Sequence, residues 1–407
     1  MQFFKNTTNY DFMGKRRILL IASGIVVLLS LLLTLFVGPK YGIDFAGGTE
    51  IQVEFKKDVG PAEVRKALAE LGYPGSEVVS FGSEESEYLL RLKTISPVTD
   101  ELEKSSRAAF EKSFPDAKVS KFAFSPGGEK LTIAMSKTVS IPELEKVVGE
   151  TGLSLSTVVN SVPKAGEDAE SAVAEEASNE TSKSCESVTC TWPFRDDRIY
   201  VVNLKSVADQ VMQGFRARTF GEGAEKKRSE WVGPKVGKQL RDAGIYSLLY
   251  AILFIMIYIA VRFDLRFAPG AVVALIHDVI ITVGIFTLFR IEITLATVAA
   301  LLTIVGYSLN DTIVVFDRIR ENLLKIKERK LSLVINTSIN QTLSRTVLTS
   351  ITTLLVVLSV LTIGWRTTLR DFALALLIGV IVGTYSSIFV ASPIVVWLDK
   401  RFAKKKA

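Results

Sequence analysis

Asp311, preceded by Asn310, falls inside an apolar run from Leu295 to Phe316 that is long enough to cross a membrane. A carboxylate at the centre of a bilayer costs about 2.5–3.5 kcal/mol on insertion scales, so a chain that keeps one there gives it a partner and a task. The chemistry to expect is the passage of a proton or another ion. The next apolar run offers the partner: Arg345 stands at its mouth and opens a polar stripe through Thr346, Thr349, Thr352 and Thr353 at helical spacing. A nearby Arg345 would keep Asp311 charged, and protonation would loosen the pair, so a passing proton could switch helix packing. The bland reading is a structural ion pair between packed helices. Asn310 can hydrogen-bond either state of the carboxyl or serve as a helix-packing contact. His277 and Asp278, near the middle of another run, stand about 100° apart on a helix and read either as a relay or as interhelical bonding.

Six apolar runs must position these groups: Ile18 to Phe36, Ile245 to Val261, Phe267 to Phe289, Leu295 to Phe316, Val347 to Ile363 and Phe372 to Leu398. The first follows Lys15, Arg16 and Arg17 but lacks a small-residue cleavage site and exceeds an h-region, so it reads as a retained anchor. Arg262 and Arg266, then Arg318 to Lys330, then Lys400 to Lys406 fall on the same side as Lys15 to Arg17 if the spans alternate. The positive-inside rule makes that side the cytoplasm. The expected organisation is a cytoplasmic segment 1–17, a first span 18–37, an outer, periplasmic domain 38–244, a five-helix bundle 245–398 and a basic cytoplasmic tail 399–407. The formal charge of +6 is accounted for by topology and lipid headgroups and does not indicate nucleic-acid binding.

The outer segment carries an internal repeat. A shift of 80 residues places Ile51, Val53 and Phe55 on Leu131, Ile133 and Met135, and repeats Lys57, Val59, Glu63, Lys66, Glu70 and Gly72 as Lys137, Val139, Glu143, Lys146, Glu150 and Gly152. Each unit reads as strand, helix, two strands and a further helix near Thr99 to Phe114 or Val207 to Phe220, which predicts ferredoxin-like α+β units at about 49–114 and 130–220. Within the second, an acidic Ala/Ser/Glu-rich stretch at about 163–197 cannot support a core and reads as a mobile loop. It contains Cys185 and Cys190, which an oxidising compartment would permit to form a short-loop disulfide, and Asn179-Glu180-Thr181, a weak match to a glycosylation acceptor. Zinc would lack ligands, since the single histidine is distant.

Gly233 to Lys238 looks like a phosphate loop but is one residue short and ends in Gln239, so ATP binding is not expected. No Ser/His/Asp or Cys/His arrangement is available. The chain reads as a non-enzyme without cofactor, and any work must come from an ion gradient, about 2.3 kcal/mol per charge per 100 mV. Asp44 with Gly47 and Gly48 has a structural reading: paired glycines allow close backbone approach and Asp caps a turn. Gly379 and Gly383 are spaced for close helix contact.

The chain resembles the SecD/SecF family of protein-export subunits. The resemblance rests on Tyr41 to Thr49, Val232 to Gly237, Leu275 to Asp278, Gly306 to Thr312 with Asp317 to Asn322, Ser338 to Thr346 and Gly383 to Ser387. It implies a polytopic α-helical membrane protein with six transmembrane helices of resistance-nodulation-division type and an apparently duplicated α+β periplasmic domain. It also implies the bacterial inner membrane, a SecD-type partner, the SecYEG translocon with YajC and YidC nearby, and an unfolded preprotein whose late translocation draws on the proton gradient. By motif position, Asp311 and Arg345 match the residues implicated in proton passage. The apparent duplication and the acidic insert depart from the family pattern of a single outer unit. Two other classes remain: half of a proton-driven small-molecule exporter of the same superfamily, favoured by a wide apolar cleft in the outer domain, and a structural scaffold, favoured if Asp311→Asn keeps activity.

Overall fold

The computed structural model describes residues 8–82, 86–94, 96, 98–125, 127–137, 139–151, 153–161, 198–263, 266–326 and 330–404. Cys185, Cys190, Asn179 and the whole acidic stretch lie outside them. The chain divides into two compact units, one of Met1–Gly47, Phe81–Ser83 and Pro234–Ala407, the other of Gly48–Ser80 and Glu84–Gly233.

The first unit opens with α1 (Arg16–Phe36), strand β1 (Lys40–Tyr41) and the single turn α2 (Ile43–Ala46). Ahead of α1, the backbone N–H of Tyr10 donates to Asn340 Oδ1 at 2.8 Å and that of Phe12 to Asn336 Oδ1 at 2.8 Å. These two asparagines, one helical turn apart, tie the leading segment down.

The second unit begins with β2 (Gly48–Glu54), α3 (Pro61–Glu70), β3 (Glu77–Ser80) and β4 (Glu87–Leu92) and continues with α4 (Asp100–Ser113), β5 (Val119–Phe124) and β6 (Lys130–Met135). α5 (Ile141–Glu150), β7 (Leu155–Ser161), β8 (Arg198–Leu204), α6 (Val207–Arg216) and β9 (Glu225–Val232) complete it. Alternation places Ile51, Val53 and Phe55, and again Leu131, Ile133 and Met135, on the buried face of their strands. A proline in the first turn starts both α3 and α5, where the missing N–H is no loss. Two four-stranded sheets result, ordered β3-β4-β2-β9 and β5-β6-β8-β7.

The trailing helices correct the expected units at 49–114 and 130–220. α6, through Val207, Ala208, Val211, Met212 and Phe215, packs in the core of β2, β4 and α3, while Phe110 of α4 packs with Phe122, Leu131 and Tyr200 in the other core. Strands follow their helices: β9 pairs with β2 and β5 with β6. One lobe is therefore β2-α3-β3-β4-α6-β9, a complete ferredoxin-like order. The other, α4-β5-β6-α5-β7-β8, is the same sheet with its connectivity circularly permuted. The two repeats have exchanged their last helix and strand. An amphipathic helix records in sequence that it has an apolar face, not which sheet covers it. Duplication shows independently in a buried latch: Tyr88 Oη donates to Val59 O, and Tyr200 Oη donates to Val139 O at 3.0 Å.

α6 is started by a capping box in which the Asp209 N–H donates to Ser206 Oγ at 3.1 Å, and Lys226 Nζ lies 2.6 Å from Asp209 Oδ1. Burial alone would raise the Asp209 carboxyl, but hydrogen bonds from Lys226 and Ser206 outweigh it and hold the group below its usual range. A depressed carboxylate stabilises the fold above the unfolded-state value, near 3.9, and loses that contribution as pH falls through the folded value. Asp209→Asn should therefore cost about 0.5–1 kcal/mol at pH 7, kept small by exposure, and flatten the loss of stability below about pH 4. Urea unfolding at several pH values reads both.

The helical unit resumes with α7 (Pro234–Arg262), α8 (Ala268–Leu288), β10 (Glu292–Ile293), α9 (Leu295–Lys325) and α10 (Leu331–Ile363). α11 (Leu369–Ser386) runs through a π-helical turn, Ser387–Ala391, into α12 (Ser392–Lys404). Pro393 explains the turn: it has no N–H and its ring clashes with the carbonyl four residues back, and widening the helix there absorbs both. Among the described residues, six helical stretches are long and apolar enough to span a membrane. α7, α9 and α10 outrun their apolar runs, because the run marks only the lipid-length part of a helix. At its polar start α10 still buries Ile335 and Ile339 against Val315, Phe316 and Ile319 of α9.

Candidate functional site

α9 carries Asp311, and its start is built by the glycine motif. β1 pairs in parallel with β10, Lys40 opposite Glu292 and Tyr41 opposite Ile293. The Gly42 N–H donates to Ile293 O at 3.0 Å, and a Cβ on Gly42 would stand 2.8 Å from Thr294 Cγ2. Asp44 Oδ2 accepts the Leu295 N–H at 2.9 Å, while Thr294 and Thr297 form the capping box of the same helix. Asp44 thus caps a distant helix rather than its own turn, which has no side-chain cap, and its negative charge sits where the helix dipole favours it. Gly47, at φ 76°, and Gly48, at φ 140°, turn the chain where a Cβ would be strained.

Asp311 is 2% exposed, and its Oδ2 has no hydrogen-bond partner among the described residues. Arg345, one helix away on α10, is exposed and acts on the carboxylate through space, without an ion pair within 4.0 Å. The closed pair expected from sequence is an open one here. Asn310 is exposed, since a residue one position back is turned about 100° away, and it does not hold Asp311. The threonines of the stripe, Thr346 excepted, bond within their own helix. Thr349, Thr352 and Thr353 donate to backbone carbonyls of their own helix at 2.8–2.9 Å, while buried Thr346 Oγ1 has no partner among the described residues.

Behind α9 lies a network that the sequence half announced. His277 Nδ1 and Asp278 Oδ1 are 2.9 Å apart, so these neighbours do meet, with 5% and 1% exposure. Asp278 Oδ2 accepts from Ser308 Oγ of α9 at 2.6 Å and from Ser386 Oγ of α11 at 2.8 Å. Tyr385 lies against the His277 ring at 6.3 Å, its hydroxyl 2.9 Å from Ser23 Oγ of α1. Ser308, Ser386 and Tyr385 fall in motifs that carry the resemblance, Gly306 to Thr312 and Gly383 to Ser387, but the sequence assigns them no role of their own, although Ser308 stands one turn before Asp311. Close approach makes the network possible: a Cβ on Gly379 would stand 2.3 Å from Ile304 Cδ1, and one on Gly383 3.0 Å from Ser308 Cβ. Among the described residues no group of three or more His, Cys, Asp or Glu is placed to hold a metal ion.

The chain matches the family described as protein export membrane protein SecD/SecF, C-terminal, over residues 214–401, and the SecD/SecF GG motif over residues 33–59. The protein translocase subunit SecF of Magnetococcus marinus is 37% identical over 407 residues, covering 100% of this chain and 97% of the relative. That of Vibrio alginolyticus is 48% identical over 198 residues, 49% of this chain and 61% of the relative. Among solved structures, SecDF, a translocon-associated membrane protein from Thermus thermophilus, is similar at a TM-score of 0.60 and 30% identity. The similarity covers 97% of this chain and 39% of that longer one. With the duplicated α+β unit, the six spanning helices and the glycine motif that caps α9, these matches establish that the chain is a multi-pass membrane protein of the SecD/SecF protein-export family, a SecF-type translocase subunit and not an enzyme.

Proposed function

We propose that this subunit assists the late translocation of polypeptides across the bacterial inner membrane by letting protons cross at Asp311, with Arg345 biasing its charge. The observation that carries the reading is the carboxylate itself: buried at 2% exposure in a spanning helix, with one oxygen unpartnered, it is costly unless it is used. Asn310 of α9 and Arg345 of α10 are both exposed, and hydrocarbon solvates such groups poorly. A SecD-type subunit covering them is the partner this reading requires. SecYEG, YajC and YidC, lipid and an unfolded preprotein are the remaining contacts it entails. His277 and Asp278 join the proton path from behind α9, and Asp44, Gly47 and Gly48 hold its end in place. Both termini lie in the cytoplasm and residues 38–244 in the periplasm, on the charge asymmetry of the loops.

The test is Asp311→Asn, which keeps size but cannot take up and release a proton. In inverted membrane vesicles the potential-dependent part of export should be lost, with normal insertion and amount of the subunit. Arg345→Lys keeps the charge but not the planar fork and should leave a partial rate. Undiminished export by Asp311→Asn would end the proposal.

A further inference from the structure

Asp278 has a feature that Asp311 lacks: both of its protonation states can be fully hydrogen-bonded without moving a heavy atom. Ser386 Oγ lies 2.8 Å from Asp278 Oδ2 and also 3.1 Å from Gly383 O, and its single proton can serve only one of them. When Asp278 is a carboxylate, Ser386 and Ser308 donate to Oδ2, and His277 in its Nδ1–H tautomer donates to Oδ1. When one proton is added at Oδ2, the new O–H donates to Ser386 Oγ, and the Ser386 proton turns to Gly383 O. The Ser308 and His277 bonds are unchanged, and the charge and proton counts balance.

We propose that Ser386 is a positioning residue that makes Asp278 a second proton-holding site, its hydroxyl reversing direction as the proton arrives and leaves. This rests on the reading that protons cross the bundle. The groups facing Asp278 are few. α8 brings His277, α9 brings Ser308 with Asp311 one turn further on, and α11 brings Ser386 and Tyr385. The runs Ile18 to Phe36 of α1 and Ile245 to Val261 of α7 carry no charged residue, and neither does the π-helical turn. A buried acid that needs partners in one state only would have to reshape its site on each cycle. Asp278 does not, which suits a site that stores a proton while Asp311, unpartnered, drives packing changes.

Infrared difference spectroscopy of the full chain in lipid vesicles, titrated with acid, reads the carbonyl band of a protonated carboxyl group. A band that disappears in Asp278→Asn and persists in Asp311→Asn is expected. The frequency of that band should rise in Ser386→Ala, where the O–H of the acid loses its acceptor, and stay near the wild-type value in Ser386→Thr. Should Ser386→Ala not give a monodisperse protein, Ser386→Cys keeps the volume, weakens both bonds and is read the same way. Absence of an Asp278-dependent band, or a band frequency indifferent to Ser386, overturns the proposal. Because this readout needs no export, it is separable from the Asp311→Asn test: either reading can fail while the other stands.

Discussion

Replacing residues 95–205 by a short Gly/Ser linker should leave a folded, monodisperse protein, whereas deleting residues 130–220, the second unit as the sequence repeat draws it, should not. The first deletion removes one lobe whole and joins β4 to Ser206, the cap of α6, so that β2, α3, β3, β4, α6 and β9 remain as a complete four-stranded sheet with two helices. The second removes α6. Val207, Val211, Met212 and Phe215 leave the core they fill, at about 1.5–3 kcal/mol each, or about 6–12 kcal/mol together. A domain has only about 5–15 kcal/mol to lose. Size-exclusion profiles and protease resistance of the two deletions decide the matter, and equal behaviour would mean that the lobes are not divided this way. The excised segment, residues 98–205, should fold by itself to a protease-resistant α+β domain.

Gly379→Leu should be the most damaging single substitution in the helical unit. Its first added carbon would stand 2.3 Å from Ile304 Cγ1 and Cδ1, forcing α9 and α11 apart. Overpacking of this kind costs about 1–3 kcal/mol in a soluble core. Here it also separates Ser308 and Ser386, which meet on Asp278. Thermal unfolding in detergent should show a large drop for Gly379→Leu, restored in part by adding Ile304→Ala, because the two residues contest one volume. Gly306, where an added Cβ meets nothing within 4 Å, is the control and should tolerate alanine. A drop that Ile304→Ala does not relieve would place the fault elsewhere.

The spanning helices were legible because a bilayer demands length and apolarity together, and both are written locally. Their ends were not. The polar first turns of α10 are held by Asn336 and Asn340 accepting from the backbone of the leading segment, contacts no window of sequence contains. The duplication was legible from the 80-residue offset, and the exchange was not, since the choice between two sheets is tertiary. Asp311 announced itself by its cost. Ser308 and Ser386 did not, because a serine in an apolar run is cheap and its direction is set by packing. The threonine stripe was legible as spacing but not in its bonding, since a hydroxyl can turn back onto its own backbone as easily as outward.

The exchange of α4-β5 with α6-β9 also fixes the order in which the outer unit can come into being. During synthesis the lobe that begins second is finished first, when Leu204 of β8 is available to pair with β7. β2, made much earlier, must wait for β9, whose Val232 pairs with Gly48 across almost the whole unit. Such a long closure is slow, and the waiting strand is a hydrophobic edge open to wrong partners. The next residues after β9 begin α7 at Pro234. Completion of the first lobe and delivery of the second span therefore fall at nearly the same moment in the life of the nascent chain.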